Sequence, residues 1–367
     1  MLDRENYYPR LTVDMPKLRD NLHEVLRQCD DAGIEVAGVV KGCSGIPEVS
    51  LAFEEMGCRW IASSRIEQLK AAKDAGVKVP LMLIRVPMIS EAEDVVSITD
   101  VSLNSDVDVL KALSEAALKK HVQHKVILMA DIGDLREGFW GEDELCDAAE
   151  LVAHELRGLE LEGIGTNVGC YGAIMATREK LQELVDITAK VEKRIGRKLN
   201  YISGGATSSF MRVMDGTIPG RINQLRMGEG ILLARDWQTL YGLDMDYMHM
   251  DVFTLEAEVI EVRTKPSYPV GEIGFAAFGE KGKYTDRGMR KRALLGIGKA
   301  DYAYPDKIFP REEGIEVLGA SSDHTILDIE DCERDIKVGD TVKFDVCYGS
   351  LVMASNSANV KVIVEDD

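Results

Sequence analysis

The sequence is short of the features that mark several large protein classes. Its seven cysteines (Cys29, Cys43, Cys58, Cys146, Cys170, Cys332, Cys347) are odd in number and contain no CxxC pair. That argues against a disulfide framework and against a structural zinc site. No apolar run approaches the roughly 20 residues that a membrane-spanning helix needs. No N-terminal segment combines a basic start, an apolar stretch and a small-residue cleavage site, so a cytoplasmic protein without a membrane partner is expected. Positive charge is also in deficit, with 44 Lys and Arg against 63 Asp and Glu and a net charge of −19. This argues against nucleic acid or an anionic membrane as a partner and mildly favours a cationic small molecule. His23, His121, His124, His154 and His249 show no metal-ligand spacing, and no metal is expected. Neither an internal repeat nor a low-complexity tract is present.

What the chain does contain is a repeated alternation of short β-rich runs and amphipathic stretches. Plausible strands are Ile34–Lys41, Arg59–Ala62, Leu81–Ile84, Val101–Leu103, Val122–Ala130, Leu159–Gly165, Leu199–Ser203 and Ile222–Met227. Helical patterns such as Glu142–Glu155 and Thr177–Arg194 lie between them. Eight such units in β-then-α order predict an α/β fold with a parallel sheet, most simply a closed (β/α)8 TIM-type barrel. An open doubly wound sheet is the alternative, but no GxGxxG follows the first strand. Before the first strand, Leu18, Leu22, Val25, Leu26 and Cys29 recur at helical spacing.

After about residue 245 the helical patterns give way to short β-rich segments: Phe253–Val262, Lys291–Ile297, Glu316–Leu318, Thr325–Ile329, Thr341–Val346 and Val360–Val364. A C-terminal all-β domain follows from that pattern. The expected organisation is a barrel over residues 1–245 and a β domain over 246–367, with about the first 12 residues packing against the β domain.

Active sites of such barrels form where strands end. The first strand ends in Lys41, which opens into Gly42-Cys43-Ser44-Gly45. An amine there, if partly desolvated, loses its proton more readily and can condense with an aldehyde; a solvated strand-end lysine is the plainer reading. The fifth strand runs into Asp131–Phe139, with Arg136, and the sixth into Gly165-Thr166-Asn167. The seventh reaches Ser203-Gly204-Gly205-Ala206-Thr207 and the eighth Arg226-Met227-Gly228-Glu229-Gly230. Glycines beside hydroxyl residues at the last two positions suit a phosphate, whose oxygens need close approach to backbone N–H groups. A tight turn with a helix cap would use the same residues. Arginine at such a place is often a surface salt-bridge partner, a reading that applies more to Arg136 than to Arg226.

Taken together, Val-Val-Lys41, Leu-Arg136-Glu-Gly-Phe, Gly-Thr166-Asn167, Ser203-Gly-Gly-Ala-Thr207 and Leu-Arg226-Met-Gly-Glu-Gly resemble the alanine racemase-like, fold-type III enzymes that use pyridoxal phosphate. The lines around Ile84–Met88, His124–Met129, Gly133–Gly138 and Gly319–His324 carry a likeness to the ornithine (basic amino acid) racemase branch. The resemblance implies a racemase interconverting L and D amino acids, ornithine or lysine first. Lys41 would form the Schiff base with the cofactor aldehyde. Thr207, with amides near Gly205, Gly228 and Glu229, would hold the phosphate, and Ser203, Arg136 and Asn167 belong to the same cofactor-binding set. Arg226 would face the pyridine nitrogen as a donor that keeps its proton, which limits the electron sink and favours racemisation.

Racemisation needs proton donors on both faces of Cα, and Lys41 can serve one. In this family a tyrosine from the partner subunit serves the other, which implies a homodimer with shared active sites. Here Lys299 falls where that tyrosine is expected and Tyr302 lies three residues on. Asn167 replaces a histidine of the family pattern, and Gly45 stands where a phosphate-binding tyrosine is common. Candidates for the second acid/base are His324, because histidine is the residue type suited to acid/base work near neutral pH, then Lys299; Asp323 and Tyr348 are candidates for substrate contact. A broad-specificity or alanine racemase is the alternative. A basic-amino-acid decarboxylase is disfavoured because Cys347-Tyr348-Gly349 stands where a cysteine-and-aspartate motif is expected. A non-catalytic single-barrel binding protein is disfavoured by the second domain.

Overall fold

The computed structural model of the chain describes residues 7–279 and 281–366. Its first elements are strand β1 (Arg10–Asp14) and helix α1 (Met15–Asp31), the helix whose apolar spacing is visible in the sequence. Eight short strands follow: β2 (Glu35–Val39), β3 (Trp60–Ser63), β4 (Leu81–Leu83), β5 (Val101–Asn104), β6 (His124–Ala130), β7 (Leu159–Thr166), β8 (Tyr201–Ser203) and β9 (Gln224–Met227). They pair in parallel in chain order and β9 returns to β2, which closes the expected barrel. Strands such as β3 and β5 are buried at every position, as strands covered on both faces must be.

The intervening helices are α2 (Pro47–Met56), α3 (Ile66–Ala75), α4 (Ala92–Ile98), α5 (Val107–Lys120), α6 (Glu142–His154), α7 (Arg178–Ile195) and α8 (Thr207–Met214), with a single turn α9 (Glu229–Leu232) after β9. Inside the barrel, Ala37, Val39, Trp60, Met82, Leu103, Ile127 and Met129 interlock as one apolar core. Gly38 lets α2 approach closely: a Cβ there would lie 2.2 Å from the Phe53 ring.

By compactness the chain divides into Arg19–Ile231 and a second unit formed by the N-terminal stretch up to Leu18 with everything from Leu232 onward. The expected division near residue 245 falls inside this second unit. After helix α10 (Arg235–Thr239), its sheet uses β10 (Phe253–Pro266), β11 (Met289–Leu295), β12 (Ile308–Pro310), β13 (Glu316–Ala320), β14 (Thr325–Asp328), β15 (Thr341–Val346) and β16 (Lys361–Glu365). The main path runs β12-β15-β10-β11-β14-β13, and β1 joins it antiparallel to β10 and parallel to β16. Leu11 and Val13 drive that pairing, since both are fully buried and alternate along β1. Two short helices, α11 (Lys299–Tyr302) and α12 (Tyr348–Asn356), interrupt the β pattern. Among the described residues no helix is long and apolar enough to cross a membrane, and no cluster of side chains could hold a metal ion.

Candidate active site

The C-terminal ends of the barrel strands bring together Lys41, Arg136, Asn167, Ser203 and Arg226. Lys41 opens a single 3-10 turn just beyond β2. The turn is clamped from both sides: Val40 N–H donates to the Ala62 carbonyl at 2.9 Å, and Gly45 N–H donates back to the Val40 carbonyl at 3.0 Å. Gly45 has φ +72°, and a Cβ there would lie 2.6 Å from Gln68 Cβ. A side chain there would be strained by the positive φ and would force Gln68 to shift.

The Lys41 ammonium is held below the usual lysine range. Burial is the main cause, and the nearby Arg136 and Arg226 guanidiniums push the same way against the opposing pull of Cys170 and Glu137. Beside it lies a cavity of about 340 Å³ lined by Ser64, Ile84, Arg85, Val86, Arg136 and Glu137. Arg85 is fixed in that wall by Glu91 at 2.6 Å and by the Ser64 carbonyl at 3.1 Å.

Arg226 is buried inside the barrel and fully engaged. Its guanidinium donates to Ser203 Oγ and, at 2.6 Å, to the Thr166 carbonyl. Burial pushes its pKa down to about 10, which still leaves it protonated at neutral pH. Arg136 pairs with the carboxylate of Glu137, which raises its pKa, and donates to Cys170 Sγ at 2.8 Å. With its amide oxygen turned toward that guanidinium, Asn167 accepts from it at 2.9 and 3.2 Å.

The loops that carry Arg136 and Asn167 are tied by Asp134. This buried carboxylate accepts the N–H groups of Gly169, Cys170 and Tyr171 at 3.1, 3.2 and 3.0 Å. Gly138 completes the loop with φ +139°, where a Cβ would meet the Asp131 nitrogen at 2.3 Å. Glu137, Asp134 and Cys170 were not among the site residues expected from sequence. The signal for Glu137 was its place beside Arg136; nothing local marks Cys170.

At the ends of β8 and β9 two helix starts converge. Thr207 opens α8, and its Oγ1 accepts from the Gly230 N–H at 3.1 Å, which ties the two loops. Gly205 has φ +111°, and a Cβ there would lie 2.6 Å from Ser209 Oγ. First-turn N–H groups have no partner inside their own helix and suit an anion. Gly228 and the buried Glu229 follow β9 at the same end of the barrel.

The remaining expected residues belong to the second unit. Lys299 begins α11; its backbone N–H donates to the Ser321 carbonyl at 2.8 Å and its ammonium sits 4.8 Å above the Phe278 ring. Asp323 and His324 are exposed on the turn between β13 and β14, so this unit brings them beside Lys299. Tyr302 is core: it is fully buried, its hydroxyl shares a 2.6 Å hydrogen bond with Thr325, and burial pushes its pKa up to about 12. Tyr348 starts α12 and is half-buried.

A family model described as the alanine racemase N-terminal domain matches residues 13–236. The ornithine racemase of Acetoanaerobium sticklandii is 40% identical over 354 residues, covering 96% of this chain and 99% of that protein. The lysine racemase of Thermotoga maritima is 41% identical over 358 residues, covering 98% and 99%. An alanine racemase structure from Clostridium difficile 630 superposes with a TM-score of 0.74 over 99% of this chain and 98% of that one, at 18% identity. With the family model spanning most of the barrel and two relatives aligned end to end, this chain belongs to the alanine racemase family.

Proposed function

We propose that the protein is a pyridoxal-phosphate-dependent racemase of a basic amino acid, ornithine or lysine. The observation that carries this reading is the convergence, at one end of the barrel, of an amine with a lowered pKa and a buried guanidinium that keeps its proton. The donor set fits the cofactor: Lys41 offers an amine to an aldehyde, Arg226 a permanent donor to a ring nitrogen, and the Gly205–Thr207 turn with Gly228 and Glu229 a cradle for a phosphate. Arg136, held by Glu137 and Asn167, is a further donor in that set, and Ser203 orients Arg226.

When bound, pyridoxal phosphate withdraws electrons from Cα, so that the α-proton comes within reach of side-chain bases. Lys41 would anchor the group and would also be the base on its own face, since burial beside Arg136 and Arg226 lowers its pKa and favours the neutral amine. Arg226, which does not surrender its proton, restrains electron withdrawal and favours return of a proton to Cα over loss of another substituent. His324 and Lys299 are the candidates for the opposite face, with Asp323 and Tyr348 as substrate contacts. The identities to ornithine and lysine racemases support the substrate class. The protein is read as a cytoplasmic homodimer whose partner supplies the second acid/base. Exposed Leu135, Trp140 and Tyr171 on the loops around the cavity support an apolar surface for a second copy.

The test is purified protein in heavy water with L-ornithine, L-lysine and L-alanine, together with its visible absorbance. Inversion and α-deuteration of ornithine or lysine, with a yellow band lost in Lys41→Ala, are expected. Inversion of alanine alone would refute the substrate, and a colourless active protein would refute the cofactor. Light scattering that finds only a monomer in an active sample would refute the shared site.

A further inference from the structure

At the other end of the barrel, where the strands begin, lies a cavity of about 730 Å³. Its lining includes the first residues of β2, β3, β5, β8 and β9: Glu35, Trp60, Val101, Tyr201 and Gln224. It is thus separate from the cavity beside Lys41, and of a size that suits a small molecule.

Two polar groups in it are left unused. Gln224 is fully buried, yet neither Oε1 nor Nε2 has a hydrogen-bond partner among the described residues. Glu162, also buried, gives Oε1 to Lys125 at 2.9 Å, while its Oε2 has no partner among them. Buried polar groups are almost always paired, so a partner from outside the chain is the simplest account. Near the mouth, the guanidinium of exposed Arg59 makes no ion pair or hydrogen bond among the described residues. Trp60 packs edge-to-face on Tyr201, with centroids 4.9 Å apart, and Met82 and Ile127 continue the apolar wall.

The cavity therefore offers an unused carboxylate oxygen, an amide able to donate and accept, an unused guanidinium and an apolar wall. A simple anion would face Glu35 and Glu162, a simple cation would leave Arg59 idle, and a hydrocarbon would leave Gln224 unpaired. We infer that this is a second ligand site, for a small zwitterion of the α-amino acid class. The ammonium goes to Glu162 Oε2 and Gln224 Oε1, the carboxylate to Arg59, and the side chain to Trp60, Met82 and Ile127.

Saturation-transfer NMR on the full chain tests this with L-leucine as the probe and n-butylamine and butyrate as single-charge controls. Leucine should bind the wild-type chain and Lys41→Ala alike, and neither control should match it. In Gln224→Leu and in Arg59→Gln its affinity should fall about tenfold, the loss expected for a charge-assisted hydrogen bond. Arg59 is exposed, so its replacement reports on the site even if Gln224→Leu fails to fold. Absence of a leucine signal, or one kept in both cavity variants, would overturn the site. A signal lost in Lys41→Ala would assign the binding to the other cavity, and butylamine or butyrate binding as well as leucine would overturn the ligand class.

Discussion

Arg226 and Gln224 stand two residues apart on β9, on the same side of the strand, and both are buried. Their surroundings differ completely. Arg226 meets Ser203 Oγ and the Thr166 carbonyl, so its charge is held in one orientation. Gln224, one layer nearer the strand starts, has no partner for either amide atom among the described residues. A buried polar group whose partners come from neighbouring strands is a fixed tool of the fold. One without them costs free energy until something outside the chain completes it.

The sharpest way to break the contrast is at the engaged end. Lys41→Ala should lower inversion of ornithine or lysine by about 10³-fold or more, the scale of a lost general base, and abolish visible absorbance. Activity should rise with pH at values below the ordinary lysine titration, because burial and the two arginines lower the Lys41 pKa. A rise delayed to pH values above that titration would contradict the electrostatics of the site. Next in size, Arg226→Ala should destabilise the fold by about 2–4 kcal/mol in urea unfolding, since it opens a cavity and strands Ser203 and the Thr166 carbonyl.

The strand-start end has its own signature. His124 lines the second cavity, bonds Ser102 Oγ at 2.9 Å, and is pushed by burial from 6.5 down to about 4. The unfolded chain therefore takes the proton first. Stability is held above about pH 6.5 and falls as the pH drops toward 4, by about 3 kcal/mol in total. Urea midpoints across that range should lose this slope in His124→Asn. The smallest effect is Gln224→Leu, which removes the unpaired amide and should raise stability by about 1 kcal/mol. A loss of similar size would mean that Gln224 is satisfied within the fold.

Much of the barrel was legible because each strand is a short run buried on both faces and each helix has a polar side, so periodicity alone separates them. Lys41, Thr207 and Arg226 were legible as residues at strand ends. What escaped was non-local. The N-terminal stretch was expected beside the β domain, but its forming a strand, β1, between β10 and β16 was not legible, because those partners lie more than two hundred residues away. The clasp of Asp134 on Gly169–Tyr171 likewise joins two loops distant in sequence. Tyr302, three residues past the expected tyrosine position, was open to a role at the substrate until its hydroxyl was found bonded to Thr325 in the core.

By itself the sequence determined the order of elements, the closure into eight parallel strands and the placement of an amine and an arginine at one end. These follow from periodicity and from residue type, which are local properties of a chain. Only the tertiary structure decided which charges meet. The Lys41 ammonium is lowered by burial beside Arg136 and Arg226, and Gln224 is left unpaired by the layer around it. Desolvation and hydrogen-bond satisfaction depend on neighbours brought together through space, and no local pattern encodes them.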